Sequence, residues 1–218
     1  MITIYNQDPV RQQALSSFLK LCHIKTYPSK TILIKSGDIN ETLYYIIKGS
    51  VLVDAEDDDG KELILAYLNK GDFIGEMGVF NGQDPRMVNV KTRCECTVAE
   101  ISHDRIRNVL KKELPEYAAD ILFIIGEQMA ERLFITSRNF RDLAFMDTKG
   151  RIARTLLDLC KEPDAITHPD GMQLHMSRQE ISHIVGCSRE VVGRVLKELE
   201  EKGLITAHGK TIVVFGTR

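Results

Sequence analysis

One stretch, SRQEISHIVGCSREVVGRVLKELEEKGLI at residues 177–205, leaves this chain little freedom in its second half. Ser177 and Glu180 have the S-x-x-E spacing of a capping box, in which a hydroxyl and a carboxylate satisfy the free amides at a helix start. Ile181, Ile184 and Val185 follow as an apolar stripe. Gly186 permits a sharp turn, and Ser188 is placed to cap a second helix. There Val192, Val195, Leu196 and Leu199 recur at i, i+3, i+4 and i+7, a stripe about 100° wide. Arg189, Glu190, Arg194 and Lys197 fall on the other side. The run ITAHGKTIVVFGTR then reads as a short hairpin turning at His208–Gly209. Helix, glycine, helix and hairpin in that order form a helix-turn-helix, whose second helix enters the major groove. Arginine donates two bonds to a guanine edge and glutamate accepts from cytosine N4. The polar face is therefore predicted to read DNA. A merely solvated helix pair would explain the charges but not the order of elements.

Residues 30–103 follow a different period. Gly37, Gly49, Gly60 and Gly71 punctuate the β-type runs KTILIKS, TLYYIIK, SVLVDAE and ELILAYL, which predicts an all-β sandwich or barrel. EDDDGKE is expected to be a tight two-residue hairpin turn, and VNVKTRCECTVAEIS to supply two more strands. Between residues 117 and 143, Leu122, Met129, Thr136 and Leu143 recur every seven, with Gly126, Leu133 and Phe140 between them. This is an a/d seam that one helix cannot bury alone. A parallel homodimer is the expected partner, with packing onto the chain's own β domain as the alternative. Asp147 is placed to cap a helix over TKGRIARTLLDLCKE, and PDAITHPDG reads as a turn-rich loop.

GDFIGEMGVFNGQDPRMVNV, residues 71–90, concentrates glycines, Glu76 and Arg86 in one segment. A short helix after Ile74 would point backbone N–H groups at an anion. Arg86 can neutralise a phosphate with paired donors, and Glu76 can accept from a ribose hydroxyl. Glycine-rich turns that simply join strands look the same.

With these motifs in order, the chain resembles the bacterial cyclic AMP receptor (catabolite activator) family. TLYYIIKGSV, YLNKGDFIGEMG, THPDGMQ, RQEISHIVGCSREVVGRVLK and AHGKTIVVFGTR carry the likeness. The resemblance implies an α+β architecture: a jelly-roll-like β-roll that binds cyclic nucleotide at 1–116, a dimerisation helix and hinge at 117–146, and a winged helix-turn-helix at 147–218. It implies Gly75 and Glu76 on the ribose, Arg86 on the cyclic phosphate, and Thr136 and Ser137 on adenine across the dimer. Where the family carries serine after that arginine, this chain has Met87. A thioether cannot donate, and losing one charge-assisted bond costs about 1.5–3 kcal/mol, some ten- to a hundredfold in affinity. A sibling group with a non-serine residue there responds to cyclic di-GMP.

The same resemblance implies base reading by Arg189, Glu190 and Arg194, with Arg178, Gln179, Ser188 and Lys210 near the DNA backbone. The expected operator is an inverted repeat of a TGTGA-like half-site, as a twofold dimer requires. Thr167 and His168 match a surface touching RNA polymerase, and His23, Lys25 and Arg105 a second such patch. The expected effector is cyclic AMP, with cyclic di-GMP or ligand-independent activity as alternatives.

Composition sets the remaining expectations. Net charge is −2, but residues from Thr148 onward hold eleven Lys and Arg against nine Asp and Glu. Five cysteines without a C-x-x-C are expected as free thiols in a reducing compartment, with no metal site. Only Cys22 precedes residue 94, which argues against an oxygen-sensing iron–sulfur relative. No apolar run approaches the ~20 residues of a membrane span, and MITIYNQDPVRQQ has no secretory pattern, so the expected location is the cytoplasm. No G-x-S-x-G, H-E-x-x-H or Walker loop occurs, so an enzyme is not expected, and the six scattered histidines are expected mostly at the surface.

Overall fold

A computed structural model describes residues 8–39, 41–81 and 85–217. The first seven residues, Gly82 of the glycine-rich segment and Arg218 lie outside the described residues. The chain divides into two compact units, Met1–Ala55 with Ala66–Ile135, and Glu56–Leu65 with Thr136–Arg218.

In the first unit, β1 (His23–Tyr27), β8 (Cys96–Ser102), β3 (Thr42–Lys48) and β6 (Phe73–Ile74) form one sheet in that order. The strands β2 (Ile32–Ile34), β7 (Asn89–Thr92), β4 (Ser50–Glu56) and β5 (Glu62–Asn69) form another. The run LYYII carries bulky apolar and aromatic residues at successive positions because β3 is covered on both faces. Tyr44 and Ile46 join Ile34, Val51, Ile74, Val90 and Val98 in one core. Leu43 points the other way, into a second core with Ala14, Phe18, Phe73, Ile101, Ile106, Ile121 and Ile125. Successive strand side chains take opposite faces, so each face of one strand feeds a different core.

That second core exists because helices back the sheet. One is α1 (Pro9–Leu19), which starts at the capping residue Asp8 with proline at N1. Another is α3 (His103–Asn108), capped by Ser102 and continued by a π turn at Val109–Glu113. The periodicity analysis anticipated neither, since α1 buries only Ala14 and Phe18. The long helix α4 (Ala118–Phe145) seats Ile121 and Ile125 in the same core. Gln128 extends that face, accepting from Phe73 N at 2.9 Å and donating to Gly71 O at 2.8 Å.

The heptad seam is a different face. Leu122, Leu133, Phe140 and Leu143 are all exposed. Packing onto the chain's own β domain thus uses Ile121, Ile125 and Gln128, and leaves an apolar ridge bare along α4. Only Met129 of the seam packs against the domain core.

The second unit contains α5 (Thr148–Leu159), α6 (Arg178–Val185) and α7 (Arg189–Glu201). A sheet of order β11-β12-β10-β9 joins them, made from β9 (Ile166–His168), β10 (Gly171–His175), β11 (Ile205–His208) and β12 (Thr211–Phe215). Ile152, Leu156, Ile181, Val192, Leu196 and Ile212 are each at most 2% exposed and form its centre. Asp147 caps α5, its carboxylate accepting from Gly150 N at 2.7 Å.

Three local expectations are corrected. EDDDGKE does not make a two-residue turn: Asp57 N bonds Lys61 O, Gly60 N bonds Asp57 O, and only Gly60 takes positive φ, at 77°. That is a three-residue loop with glycine at the bulge, favoured because one left-handed residue is easier to supply than two. The segment 163–171 is not all loop, because Ile166–His168 pairs antiparallel with Gly171–Gln173. The last hairpin turns at Gly209–Lys210, one residue later than expected, since His208 is still paired with Thr211.

Candidate functional site

Two groups of predicted residues are assembled, one in each unit. In the first, Gly75 joins β6 to the short helix α2 (Met77–Asn81) at φ 84°. A Cβ there would lie 2.5 Å from Thr42 O, so both conformation and space demand glycine. Glu76 follows, 7% exposed. Its Oε1 accepts from Arg132 Nη1 at 2.8 Å, and Arg132 Nη2 donates to Phe73 O at 2.6 Å. The backbone of Arg86 is pinned to the turn before β3, with Gly37 N donating to its carbonyl at 2.8 Å and its own N–H to Asp38 O at 3.1 Å. Its guanidinium reaches back to Gly75 O at 3.4 Å. Gly75, Glu76 and Arg86 are therefore brought together, as expected. Met87 is 87% exposed and lines nothing buried. Thr136 and Ser137, both exposed on α4, belong to the second unit.

Sequence reasoning missed two side chains here. Arg132 lies on the packed face of α4, four residues after Gln128; a charge on a face that ought to be apolar was the available signal. His103, 5% exposed, is the exception to the expectation of surface histidines. Burial pushes its pKa down from the usual histidine value, and the Arg86 cation lowers it further.

In the second unit the helix-turn-helix is built as its sequence requires. Ser177 Oγ accepts from Glu180 N at 3.1 Å while Glu180 Oε2 accepts from Ser177 N at 2.8 Å. Gly186 ends α6 in the left-handed conformation at φ 69°. Ser188 caps α7, accepting from Val191 N at 3.4 Å. Val192, Val195, Leu196 and Leu199 are buried, while Arg189, Glu190 and Arg194 are exposed. The carboxyl of Glu190 is held below the usual carboxylate range by its own amide and by Ser188, so it faces solvent ionised.

Side chains from three elements meet beside the start of α7. Ser177, Arg178, Gln179, Arg189, Gly209 and Lys210 line a hollow of about 350 Å³. Three cations around a concave surface next to two helix N-termini favour a polyanion. Glu190 and Arg194 lie outside this lining, farther along the exposed face of α7.

The other predicted positions are on the surface. Thr167 and His168 lie on β9, where Asp170 N donates to His168 Nδ1 at 3.3 Å. His23 and Lys25 are exposed on β1, Lys25 Nζ standing 4.5 Å over the Tyr27 ring. Arg105 is on α3, where its guanidinium bridges to Glu113. Among the described residues, no group of three or more metal-binding side chains is found, and no helix is long and apolar enough to cross a membrane. All five cysteines are free thiols, with Cys94 exposed and Cys96 and Cys160 buried.

Known proteins resemble the chain along most of its length. Residues 24–113 match the cyclic nucleotide-binding domain family and residues 150–215 the Crp-like helix-turn-helix domain family. The cAMP-activated global transcriptional regulator CRP of Salmonella typhimurium is 55% identical over 210 residues, covering 96% of this chain and 98% of that protein. The cAMP-activated global transcriptional regulator Vfr of Pseudomonas aeruginosa is 55% identical, covering 94% of each. Among solved structures, the c-di-GMP responsive global regulator CLP of Xanthomonas campestris superimposes with a TM-score of 0.88 at 48% identity, covering 94% of this chain and 100% of that one.

Proposed function

This chain belongs to the Crp family of transcriptional regulators, and on that premise we propose that it is a cyclic-nucleotide-gated, dimeric, DNA-binding regulator rather than an enzyme. The observation that carries the reading is α7: four buried apolar residues fix its orientation, so Arg189, Glu190 and Arg194 face outward beside a cationic hollow. In this reading those three contact base edges, while Arg178, Gln179, Ser188 and Lys210 hold phosphates. The functional division is a nucleotide domain at 1–116, a dimerisation helix and hinge at 117–146, and a DNA-binding domain at 147–218.

Dimerisation is supported by the bare ridge of Leu122, Leu133, Phe140 and Leu143 on α4. Two such ridges packed in parallel would present two α7 helices to successive major grooves of an inverted repeat. Replacing Leu133 or Phe140 by Glu should yield monomers on sedimentation and lose palindrome preference. A variant that remains dimeric sinks this arrangement.

Cyclic AMP is the proposed effector, as named for relatives 55% identical to this chain. The residues present fit it. Arg86 offers paired N–H donors to a phosphodiester, and Glu76, held by Arg132, offers a carboxylate to a ribose hydroxyl. Glycine at 75 lets the backbone pass close beside Thr42. Thr136 and Ser137 of the partner protomer would complete the adenine site. Met87 favours a second reading, cyclic di-GMP, because it supplies no hydroxyl beside Arg86 and because a structural relative is c-di-GMP responsive.

Anisotropy with a TGTGA inverted-repeat duplex, with either nucleotide or none, separates these readings. Tighter DNA binding with cyclic AMP supports the first, tighter binding with cyclic di-GMP the second, and equal affinity throughout refutes gating. Contact with RNA polymerase through Thr167 and His168, and through His23, Lys25 and Arg105, is the further proposal. Thr167→Ala should lower transcription in vitro without changing operator affinity.

A further inference from the structure

We propose that His103 positions Arg86 and gains proton affinity when an anion binds there, so that the pocket takes up a proton together with its nucleotide. The inference rests on the reading of Gly75, Glu76 and Arg86 as the phosphate and ribose site. His103 begins α3 directly after β8, and its main-chain N–H is held by Glu41 O at 2.7 Å. A Cβ on Gly78 would lie 2.3 Å from Cε1 and 3.0 Å from Nδ1 of His103, and 2.8 Å from Arg86 Nη2. The imidazole and the guanidinium thus both close on the bare Cα of one α2 glycine. Both also answer to one carbonyl: Gly75 O receives Arg86 Nη2 at 3.4 Å, and the same backbone group acts on the His103 ring in the sense that raises its proton affinity. His103 Nε2 is buried with no hydrogen-bond partner in the structure. We assign the hydrogen of the neutral ring to Nδ1, the nitrogen toward Gly75 O, which leaves Nε2 unprotonated.

The surrounding charges explain why that nitrogen stays bare. Burial is the largest cause of the lowered proton affinity, followed by the Arg86 cation, with Arg107 adding to it; the Gly75 carbonyl and Glu41 act in the opposite sense. From α2, Gly78 lies against the ring. Without ligand His103 is neutral at neutral pH. A phosphodiester on Arg86 offsets the opposing cation, so a proton from solvent can settle on Nε2; no bond of the nucleotide breaks. The sign follows. The pKa is lower without ligand than with it, so affinity is constant above the ligand-bound value. It rises as pH falls through that value, and levels off below the ligand-free value, which lies under the usual 6.5. A phosphodiester does not titrate in this range, so the slope belongs to the protein.

The test is calorimetric titration of the full-length protein with cyclic AMP from pH 8 down to 5.5, repeated in buffers of different ionisation enthalpy. Affinity should rise toward acid, by at most about tenfold per pH unit for a single proton, and the buffer dependence should report proton uptake. In H103N, which keeps an N–H donor for Gly75 O, slope and uptake should disappear. A flat wild type, or an H103N variant with the wild-type slope, overturns the proposal. Nitrogen-15 NMR of the imidazole needs only the native protein: the His103 signal should titrate at higher pH with nucleotide than without, and identical titrations refute the idea. If neither cyclic AMP nor cyclic di-GMP binds at any pH, the effector reading falls and takes this one with it. Binding that is tight but independent of pH removes this inference alone.

Discussion

The two proposed sites differ in how far the chain must fold before they exist. The proposed DNA-facing surface draws on residues 177–194 and one hairpin turn, and each side chain is aimed by the local element that carries it. The proposed nucleotide pocket brings the 75–86 segment together with His103 and Arg132 from more distant parts of the chain, and these groups pack against one another. An exposed reading face can lose a side chain without loosening the fold. In the pocket, binding and packing share the same atoms.

The largest expected effect tests whether the units are independent. Leu196 is 2% exposed at the centre of the second unit. Leu196→Ala should cost about 2–5 kcal/mol, lowering one calorimetric transition and abolishing operator binding while nucleotide binding survives. Equal loss of both functions would break the comparison. Next, Arg86→Ala should weaken nucleotide binding about a hundredfold through lost charge-assisted bonds, measured by calorimetric titration, with little change in non-specific DNA affinity.

A smaller effect separates bases from phosphates. Arg189→Ala should cost about 1–3 kcal/mol and relax preference at one guanine. Lys210→Ala should instead weaken all duplexes alike and lower the salt slope by about one. Anisotropy on single-base operator variants reads both, and a uniform loss for Arg189→Ala would make it a phosphate contact. The smallest concerns the α7 cap. Ser188→Ala should cost about 1 kcal/mol in thermal melts. It should also raise the Glu190 pKa, which the native cap depresses. A depressed carboxyl contributes stability above the usual carboxylate range that is lost as pH falls through its folded pKa. The native melting temperature should therefore drop more steeply toward acid than that of Ser188→Ala.

What could be read in advance follows the same division. The capping box, Gly186, the Ser188 cap and the α7 stripe each depend on residues within one turn, and all four are formed. Glu76 and Arg86 stood out because one glycine-rich segment carries both, and Gly75 was added by the resemblance. Arg132 and His103 did not stand out, since Glu76 lies 56 residues from Arg132, Arg86 and Gly75 lie well outside His103's own segment, and no local period marks either. The helix α1 escaped because only two of its residues are fully buried, although Asp8–Pro9 marks its start. The strand β9 escaped because a three-residue strand, Ile166–His168, is defined by its neighbour and not by its own alternation.

The sequence by itself determined where the three helices of residues 147–201 begin, where α6 ends, and which face of α7 carries charge, because caps and amphipathic periods act within a few residues. Only the tertiary structure decided which face of α4 is used within the chain and which stays bare. The same holds for Arg86, His103 and Arg132 closing around Gly75 and Glu76. Those outcomes depend on burial and charge between segments brought together by sheet pairing, and neither can be counted until the strands have found their register.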